Sequence, residues 1–398
     1  MAHPRTPPHF PAPDEWPHCG HGTIPEDLVG CRGIHVPGHT SCLAHLADTD
    51  RDTYLAGLTP GTDIDHRGTP FTALLLNTLL DALRDPATGH PRLGTARFHS
   101  ATFQGNAGFG SATFQGIAGF HSATFQGLGG FYSVNFENHA NFASATFESV
   151  TSFGSAAFEG EAWFYSATFK DDTGFGLATF RGEAGFNWAS FQHNVGFESV
   201  TFECDASFEQ AVFERAARLG PLVCAGWVGL SGVVFGGPVT LSFAARGVEC
   251  RRTRWSATAE LRLRYATVDF SHAVFEYPLR IAAEADAFVL PNGQQTEERA
   301  FVGTPDAAVR LTSLRGVDAA HLVLADVDLS GCLLTGTVHL DQLRLEGACS
   351  FDNVPPGTYW RHWRPVRFTQ RRTLAEEHHW RARQRSRAGT WPCSAPDG

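Results

Sequence analysis

Cysteine and histidine side chains are concentrated near the N-terminus, and their chemistry is that of metal ligands. A structural zinc ion needs four thiolate or imidazole ligands in a tetrahedron, and these usually come in close pairs along the chain. Two such pairs are present, Cys19 with His21 and Cys42 with His45, and Cys31 adds a further thiol. We therefore predict a metal site formed by Cys19, Cys31, Cys42 and His45, with a structural zinc ion as the only cofactor. The alternative interpretation is a loop with buried thiols and surface histidines, which include His35 and His39.

No other group of residues has the pattern of an active site. The segment Asp63-Ile64-Asp65-His66-Arg67 contains acid and base groups, but no nucleophile pairs with it, and it precedes a predicted helix start, where carboxylates are common. The chain has no phosphate-binding G-x-x-x-x-G-K-[ST] loop, no G-x-S-x-G motif and no H-E-x-x-H motif. The sequence therefore predicts no catalytic residue, no residue that binds an organic cofactor, and no enzyme activity.

The most regular feature of the sequence is a ladder of phenylalanines. From Phe98 to Phe213 there are 22 Phe residues whose spacings alternate between 5 and 6 without interruption. A step of five residues turns an α-helix by about 140°, so these side chains would form no apolar stripe on a helix. The residue two positions before each Phe is Ala in 16 of the 22 units. In a short strand, that residue and the Phe point to one side of the backbone, which predicts a coil with both inside.

The length of the coil depends on the number of Phe units in it. A coil of four units would have 22 residues, and each Phe would then stack on the Phe of the next coil, Phe103 on Phe125 for example. Outward residues should then form rows along the solenoid. We expect Lys170 to lie next to Glu148 in one such row, and Arg181 to lie between acidic neighbours in another.

The units Ala101-Thr102-Phe103-Gln104-Gly105 and Ala112-Thr113-Phe114-Gln115-Gly116 resemble the A-(D/N)-L-x-x motif of the pentapeptide-repeat family, with Phe in the central position. The resemblance implies a mainly β fold, a right-handed quadrilateral β-helix with four units per coil, and proteins of this kind are frequent in actinobacteria. The sequence departs from the family in one respect, because every second unit has an extra residue. To this solenoid we add a small N-terminal region that contains the Cys/His segment and is partly helical.

The composition changes along the chain and suggests five segments. A helix with an apolar face is expected between Thr69-Pro70, as its start, and Asp85-Pro86, as its end, and it should cap the first coil. The predicted segments are a disordered stretch at 1–17, the Cys/His segment and helical cap at 18–90, the Phe-ladder β-helix at 91–217, a less regular β-helix at 218–352 with a loop insertion at 286–308, and a basic tail at 353–398.

The charge distribution limits the functions to consider. The net charge of −10 argues against a protein that coats nucleic acid, and the β-helix between 98 and 215 carries 12 acidic side chains against three basic ones. We predict a non-enzymatic interaction or scaffold protein with an unknown protein partner. Because some relatives that resemble this chain are acidic mimics of DNA that act on DNA gyrase, a mimic of that kind is the first alternative. A cytoplasmic sensor part of a membrane-associated assembly, of which this chain would be a truncated form, is the second.

The C-terminal tail differs in charge from the rest of the chain. Nine Arg residues lie between 361 and 387, and Trp360, Trp363 and Trp380 are interleaved with them. Such a segment could contact membrane lipid or nucleic acid, or it could be a solvated helix. The N-terminus lacks the apolar stretch of a secretory signal, and no run of 18 apolar residues occurs, so the sequence favours a cytoplasmic bacterial protein.

Overall fold

The computed structural model describes residues 16–24, 27–290, 293–304 and 306–351, together with the backbone of 358–361 and 364–367. The predicted disordered stretch 1–17 lies outside these described residues except for Trp16 and Pro17, and Trp16 is buried with its Nε1 donating to Arg32 O. The predicted roles of the side chains of the basic tail also lie outside the described residues. Two short pieces of the tail, Thr358–Arg361 and Arg364–Arg367, form an antiparallel strand pair. This part of the tail is therefore extended and does not start a helix.

The described chain is a four-sided parallel β-solenoid of about 11 coils, each of about 22 residues. In the Phe ladder each coil contributes four strands of two residues, and each strand pairs with the equivalent strand of the next coil, as Phe125 does with Phe147. The predicted mainly β fold and the predicted coil length are thereby confirmed. The charged rows have the expected register as well. Lys170 Nζ lies 2.9 Å from Glu148 Oε1, and Arg181 forms an ion pair with Glu159, one coil before it.

The strands fall into four columns, which we name after their first phenylalanine. The Phe98 column comprises Ala96–Arg97, Ala118–Gly119, Ala140–Asn141, Ala162–Trp163, Ala184–Gly185 and Ala206–Ser207. The Phe103 column comprises Pro70–Phe71, Thr102–Phe103, Thr124–Phe125, Thr146–Phe147, Thr168–Phe169, Ser190–Phe191, Val212–Phe213, Val234–Phe235, Arg254–Trp255 and Val274–Phe275. The Phe109 column comprises Ala107–Gly108, Gly129–Gly130, Thr151–Ser152, Thr173–Gly174 and Val195–Gly196. The Phe114 column comprises Arg92–Leu93, Thr113–Phe114, Asn135–Phe136, Ala157–Phe158, Thr179–Phe180 and Thr201–Phe202.

The core of the Phe ladder is a set of stacked aromatic rings. All of its phenylalanines are buried, and within a column the rings are nearly parallel, with centroids 4.6 Å apart for Phe125 and Phe147 and 4.8 Å apart for Phe147 and Phe169. Rings of different columns meet either edge to face, as Phe142 and Phe153 do at 5.3 Å and 82°, or tilted, as Phe142 and Phe147 do at 42°. Both arrangements are the favourable geometries for aromatic pairs, so the repeat produces a core that is the same in every coil.

Two kinds of corner close each coil. After the Phe98 and Phe109 columns the chain makes a tight turn in which the residue two positions after Phe has a positive φ, such as Ser144 at 56°. After the other two columns, glycine allows backbone to lie directly on backbone. A Cβ atom at Gly127 would be 2.6 Å from the carbonyl carbon of Gly105, and one at Gly182 would be 2.5 Å from that of Gly160. These contacts explain why glycine recurs in the longer units.

The coil becomes shorter after the Phe ladder. Ala217 and Val239 pair across 22 positions, as residues of the Phe ladder do. Between Trp227 and Leu279 the paired residues are 20 positions apart, as Val239 and Ala259 are. The core changes here from Phe to smaller apolar residues, although Trp255 continues the Phe103 column. The strands of this part are Ala217–Gly229, Val239–Glu249, Ala259–Arg264, Thr267–Asp269, Leu279–Ala283, Arg310–Ser313, Leu322–Ala325 and Arg344–Glu346.

An insertion interrupts the shorter coils. Leu279 pairs with Leu322, so the residues between the strands Leu279–Ala283 and Arg310–Ser313 leave the coil. They fold back onto the outside of the solenoid, where Phe288 and Phe301 pack against Val223 and Ala244 in a second apolar cluster. Within the insertion, Arg299–Phe301 is a short 3₁₀ helix. A segment that sequence reasoning treats as a loop is thus a packed part of the molecule.

The N-terminal region covers the first coil. Helix α1 spans Asp48–Ala56, helix α2 spans Ala73–Ala82, and a 3₁₀ turn spans Leu43–His45. The predicted start of α2 at Thr69-Pro70 is wrong, because Thr72 is the N-cap and its hydroxyl accepts from Leu75 N. Pro70–Phe71 is instead a strand that pairs with Thr102–Phe103, since Phe71 is needed as the first ring of the Phe103 column.

Candidate functional site

The four residues predicted as metal ligands lie together. One ligand atom from each of Cys19, Cys31, Cys42 and His45 lies within 4.8 Å of the other three. The Sγ atoms of Cys31 and Cys42 are 3.7 Å apart, and His45 Nδ1 is 3.4 Å from Cys42 Sγ and 3.5 Å from Cys19 Sγ. We call this group the Cys/His cluster.

Backbone hydrogen bonds position the cluster. Cys19 N donates to Gly33 O and Cys31 N donates to His21 O, so the first two thiols come from adjoining stretches of one loop. Cys42 precedes the 3₁₀ turn, and because its carbonyl accepts from His45 N, the imidazole folds back over its own thiol. A Cβ atom at Gly33 would lie 2.6 Å from Cys42 Cβ, so glycine is required where the two stretches meet.

The remaining histidines of this segment have other contacts. The His21 ring stacks on that of His45, with centroids 4.2 Å apart, and His35 Nε2 lies 2.8 Å from His18 O. His39 Nδ1 is 3.8 Å from Asp50 Oδ2. The structure therefore separates the four predicted ligands from the histidines that the sequence left as alternatives.

The two thiols at the centre of the Cys/His cluster differ in their acidity. The hydrogen bond from Cys42 lowers the pKa of Cys31 to about 5, and burial of Cys31 opposes this shift. The pKa of Cys42 is raised, first by its hydrogen bond to Cys31 and then by burial.

The acidic segment near the first coil has structural contacts. Asp63 Oδ1 accepts from Thr95 N at 2.7 Å, and Asp65 forms a two-pronged ion pair with Arg67. His66 is fully buried, with Nε2 3.3 Å from Tyr54 Oη and its ring edge-on to Phe71 at 5.8 Å. Sequence reasoning missed this core histidine, because only the pairing of the strand Ile64–Asp65 with Ala96–Arg97, and the hydrogen bond from His66 N to Arg97 O, place it at the end of the aromatic stack.

We expect His66 to make the protein sensitive to acid. Burial lowers its pKa to about 4, and the nearby Asp65 opposes this only in part. Its contribution to stability is complete above pH 6.5, the ordinary pKa, and is lost as the pH falls from 6.5 to 4, because only the unfolded chain binds the proton in that range. The loss should reach about 3 kcal/mol, since one pKa unit corresponds to about 1.4 kcal/mol.

The measurement is the free energy of unfolding of the wild type and of His66→Phe at pH 7.5 and pH 4.5. The variant should lose less stability between the two pH values, whereas His90→Gln, at an exposed position, should behave as the wild type. Equal losses in the wild type and His66→Phe would contradict the assignment. His99, whose pKa burial also lowers to about 4, will keep part of the acid sensitivity in both proteins.

A groove runs along the outside of the Phe109 column. Its volume is about 870 Å³, and six successive coils line it from Val150 to Glu260. The outward positions of the Phe109 column are small over five coils, and we call this row and the groove that continues it the glycine trough. The small residues are Gly108, Gly130, Ser152, Gly174 and Gly196, of which the last three line the groove. In the three coils that follow, the same outward position holds Arg218, Thr240 and Glu260.

Two of the four floor glycines have no packing requirement for glycine, whereas a Cβ atom at Gly196 would lie 2.6 Å from Glu198 Oε2. A Cβ atom at Gly108 or Gly174 would have no atom within 4 Å, and neither residue has a positive φ. The Phe98 column differs, because a Cβ at Gly119 would lie 2.2 Å from the His99 ring and one at Gly185 would lie 2.5 Å from the Tyr165 ring. Glycine within a strand costs about 0.5–1 kcal/mol relative to alanine, and it often marks a place where another backbone approaches closely.

The walls of the trough change in character along the solenoid. Near its N-terminal end the exposed side chains are apolar, with Leu128, Tyr132 and Val150 each between 44% and 58% exposed. Further along, charged side chains line the groove, with Asp172 and Glu198 beside the floor and Arg218 and Glu260 at the outward floor position itself. An exposed apolar patch beside polar groups is typical of a surface that binds protein.

The acidic side chains of the Phe ladder are concentrated at two edges. Six of the 12 follow the Phe114 column and four follow the Phe103 column, and these two corners lie opposite each other in a four-sided coil. The first group is Glu137, Glu159, Glu161, Glu183, Glu203 and Asp205, and the second is Glu148, Asp171, Asp172 and Glu214. Acid is therefore not spread evenly over two adjacent faces.

Within the described residues, no helix is both long enough and apolar enough to cross a membrane. The second group of potential metal ligands in this part of the chain, Asp171, Asp172 and His193, is exposed or half-buried. Asp172 Oδ1 there accepts hydrogen bonds from Asn194, which ties one coil to the next. Other Asp and Asn side chains make the same contact between coils, such as Asp205 with Trp227 N at 2.8 Å.

Comparison with known proteins gives one match. The family model for pentapeptide repeats, described as nine copies, matches residues 131–179, which form just over two coils of the Phe ladder. No curated protein and no solved structure matches the chain.

Proposed function

Since this chain is a pentapeptide-repeat protein, we propose that it works as a non-enzymatic scaffold, and that the glycine trough binds an extended segment of another protein. Solenoids of this family are typically non-catalytic. The observation that carries the proposal is the bare floor of the trough, where Gly108 and Gly174 are required neither by packing nor by backbone conformation. A partner whose backbone lies against that floor would explain why glycine occupies these two positions.

The walls indicate the chemistry of the partner. Leu128, Tyr132 and Val150 favour apolar side chains at one end. At the other end the lining has three acidic side chains against one Arg, which favours basic side chains, although Glu198 lies 3.9 Å from Arg218 and Glu260 lies 3.4 Å from Arg280. Charge complementarity of this kind fixes the direction and register of a bound segment more than it raises affinity. We therefore expect an extended segment that is apolar at one end and basic at the other.

The test replaces a floor glycine by a residue that the same column accepts elsewhere. Thr240 occupies the equivalent outward position three coils later, so Gly174→Thr should fold normally while it fills the floor. Ala157→Thr is the matched control, because Thr113, Thr179 and Thr201 occupy its own column on another side of the solenoid. Partners captured from a cell extract by the wild type should be lost with Gly174→Thr and kept with Ala157→Thr.

Equal capture by both variants, with unchanged thermal midpoints, would contradict the proposal for the trough. Purified DNA gyrase belongs in the same experiment as a defined probe. Inhibition of supercoiling that both variants retain would favour the DNA-mimic alternative, in which the acidic edges and not the trough make the contact. The concentration of acid at two opposite edges differs from the even spread over two adjacent faces that we would expect of a DNA mimic.

A further inference from the structure

We propose that Cys19, Cys31, Cys42 and His45 bind one zinc ion, which fastens the N-terminal segment 16–46 to the first coil of the solenoid. The site goes beyond the scaffold function, since it lies at the capped end of the rod and not in the glycine trough.

The distances fit a tetrahedral metal centre. Two thiolates bound to zinc at about 2.3 Å lie about 3.7–3.8 Å apart when the ligands are tetrahedral, and a thiolate and an imidazole lie slightly closer. The Sγ atoms of Cys31 and Cys42 are 3.7 Å apart, and the two sulfur–nitrogen distances to His45 are 3.4 and 3.5 Å. A disulfide would require about 2.05 Å between sulfurs.

The donor set selects the metal and its role. Three thiols and one imidazole suit zinc and not magnesium or calcium, which take oxygen ligands. Four protein ligands complete the coordination shell, so no position remains for a substrate and the site is structural. Gly33 N donates to Cys31 Sγ at 3.4 Å, a contact that orients the thiol towards the centre of the cluster.

Segment 16–46 has too little secondary structure and too small a core to be held by packing alone. Between residues 16 and 46, apart from the 3₁₀ turn, the described chain has only isolated β-bridges. Few of its side chains are buried, the main ones being Trp16, Val36, Cys42, Leu43 and Leu46. A short segment with so small a core usually requires a metal or a disulfide to stay folded.

The fastened segment contacts the solenoid at defined points. Ile34 N donates to Arg67 O at 2.8 Å, and the Arg67 guanidinium lies over the Trp16 ring at 5.0 Å. A Cβ atom at Gly68 would come within 2.3 Å of Arg32 O, so the loop and the first coil are in direct backbone contact. Loss of the metal should therefore release the covering of the first coil while the Phe ladder remains folded.

The experiment measures zinc in the purified full-length chain, prepared under reducing conditions. We expect one zinc per chain, and cobalt exchanged into the site should show the visible absorption of tetrahedral thiolate coordination. Cys31→Ser and Cys42→Ser should each reduce the zinc content to near zero and expose segment 16–46 to protease. Cys204→Ser, which removes an exposed thiol elsewhere, and His21→Ala, which removes the neighbouring imidazole, should both retain the metal.

Wild-type protein that holds no zinc even after reduced protein is supplied with the ion would overturn the proposal, as would a Cys31–Cys42 disulfide found by mass spectrometry. Zinc retained by both cysteine variants would place the metal elsewhere in the chain. If a cysteine variant fails to fold, the stoichiometry and cobalt spectrum of the wild type still decide the question. Loss of partner binding with the metal intact would concern the trough and not this site.

Discussion

Replacing Phe147 with alanine is expected to lower the free energy of unfolding by about 3–5 kcal/mol, as for other fully buried aromatic residues. The ring is fully buried between Phe125 and Phe169, and it also meets Phe153 edge to face at 6.0 Å. Alanine would leave a cavity that the rigid neighbouring coils cannot close. Denaturant unfolding followed by circular dichroism measures the change.

Two further variants separate the cavity from other effects. Phe147→Leu, which places the central residue of the family motif in this column, should cost clearly less than alanine because it fills most of the space. Glu148→Ala removes only an exposed ion pair with Lys170 and should change stability by less than about 1 kcal/mol. An alanine variant at position 147 as stable as Glu148→Ala would show that the ring stack is not the main source of stability.

Glu298→Ala should lower stability by about 3 kcal/mol, which is the lower end of the range for breaking a buried ion pair. The Arg264 and Glu298 side chains are only 6% and 10% exposed, and Tyr265 Oη donates to the same carboxylate at 2.8 Å. Removal of the carboxylate leaves the Arg264 charge buried without its partner. Carbonyl acceptors at Glu284 and Ala285 remain, which limits the loss.

The neighbouring pair of Glu297 and Arg299 is the matched control, because its side chains are 72% and 84% exposed. Glu297→Ala should change stability by less than about 1 kcal/mol. Replacement of both buried partners, as Arg264→Met with Glu298→Leu, should restore most of the stability lost by Glu298→Ala. Faster hydrogen exchange in 293–304 would locate the effect at the insertion, and wild-type exchange in Glu298→Ala would contradict the assignment.

The sequence is sufficient to predict the solenoid because every unit of the Phe ladder has the same residue pattern and therefore the same strand and corner conformation. Ala and Phe two residues apart define a strand side, and the alternation of 5 and 6 defines the corners, so register follows from counting. The start of α2 could not be predicted in the same way. Thr69-Pro70 is a favourable helix start on local grounds. Phe71, however, stabilises the fold more as the first ring of the Phe103 column than it would as a helical residue.

The surface features depend on contacts between distant parts of the chain. Glycines of the two columns look alike in sequence, yet His99 covers Gly119 while Gly174 faces open space. The docking of the insertion depends on Arg264 and Glu298, whose pairing over 34 residues has no periodic signal. Of the candidate metal ligands, the sequence supplied the donor types and the close pairs, and the fold brought the pairs together.

The change in coil length has a consequence for how such a protein can vary in size. Between residues 98 and 217 the addition or loss of one whole coil would bring every ring back onto its own column and every outward row back into line. The trough would then grow or shrink by one coil spacing, about 4.8 Å, with both ends unaltered. Beyond residue 227 the coil that is added or lost must be the shorter one, in which paired residues such as Glu260 and Arg280 are 20 positions apart. Gene duplication can therefore change the length of the proposed binding surface in fixed steps, each of one coil.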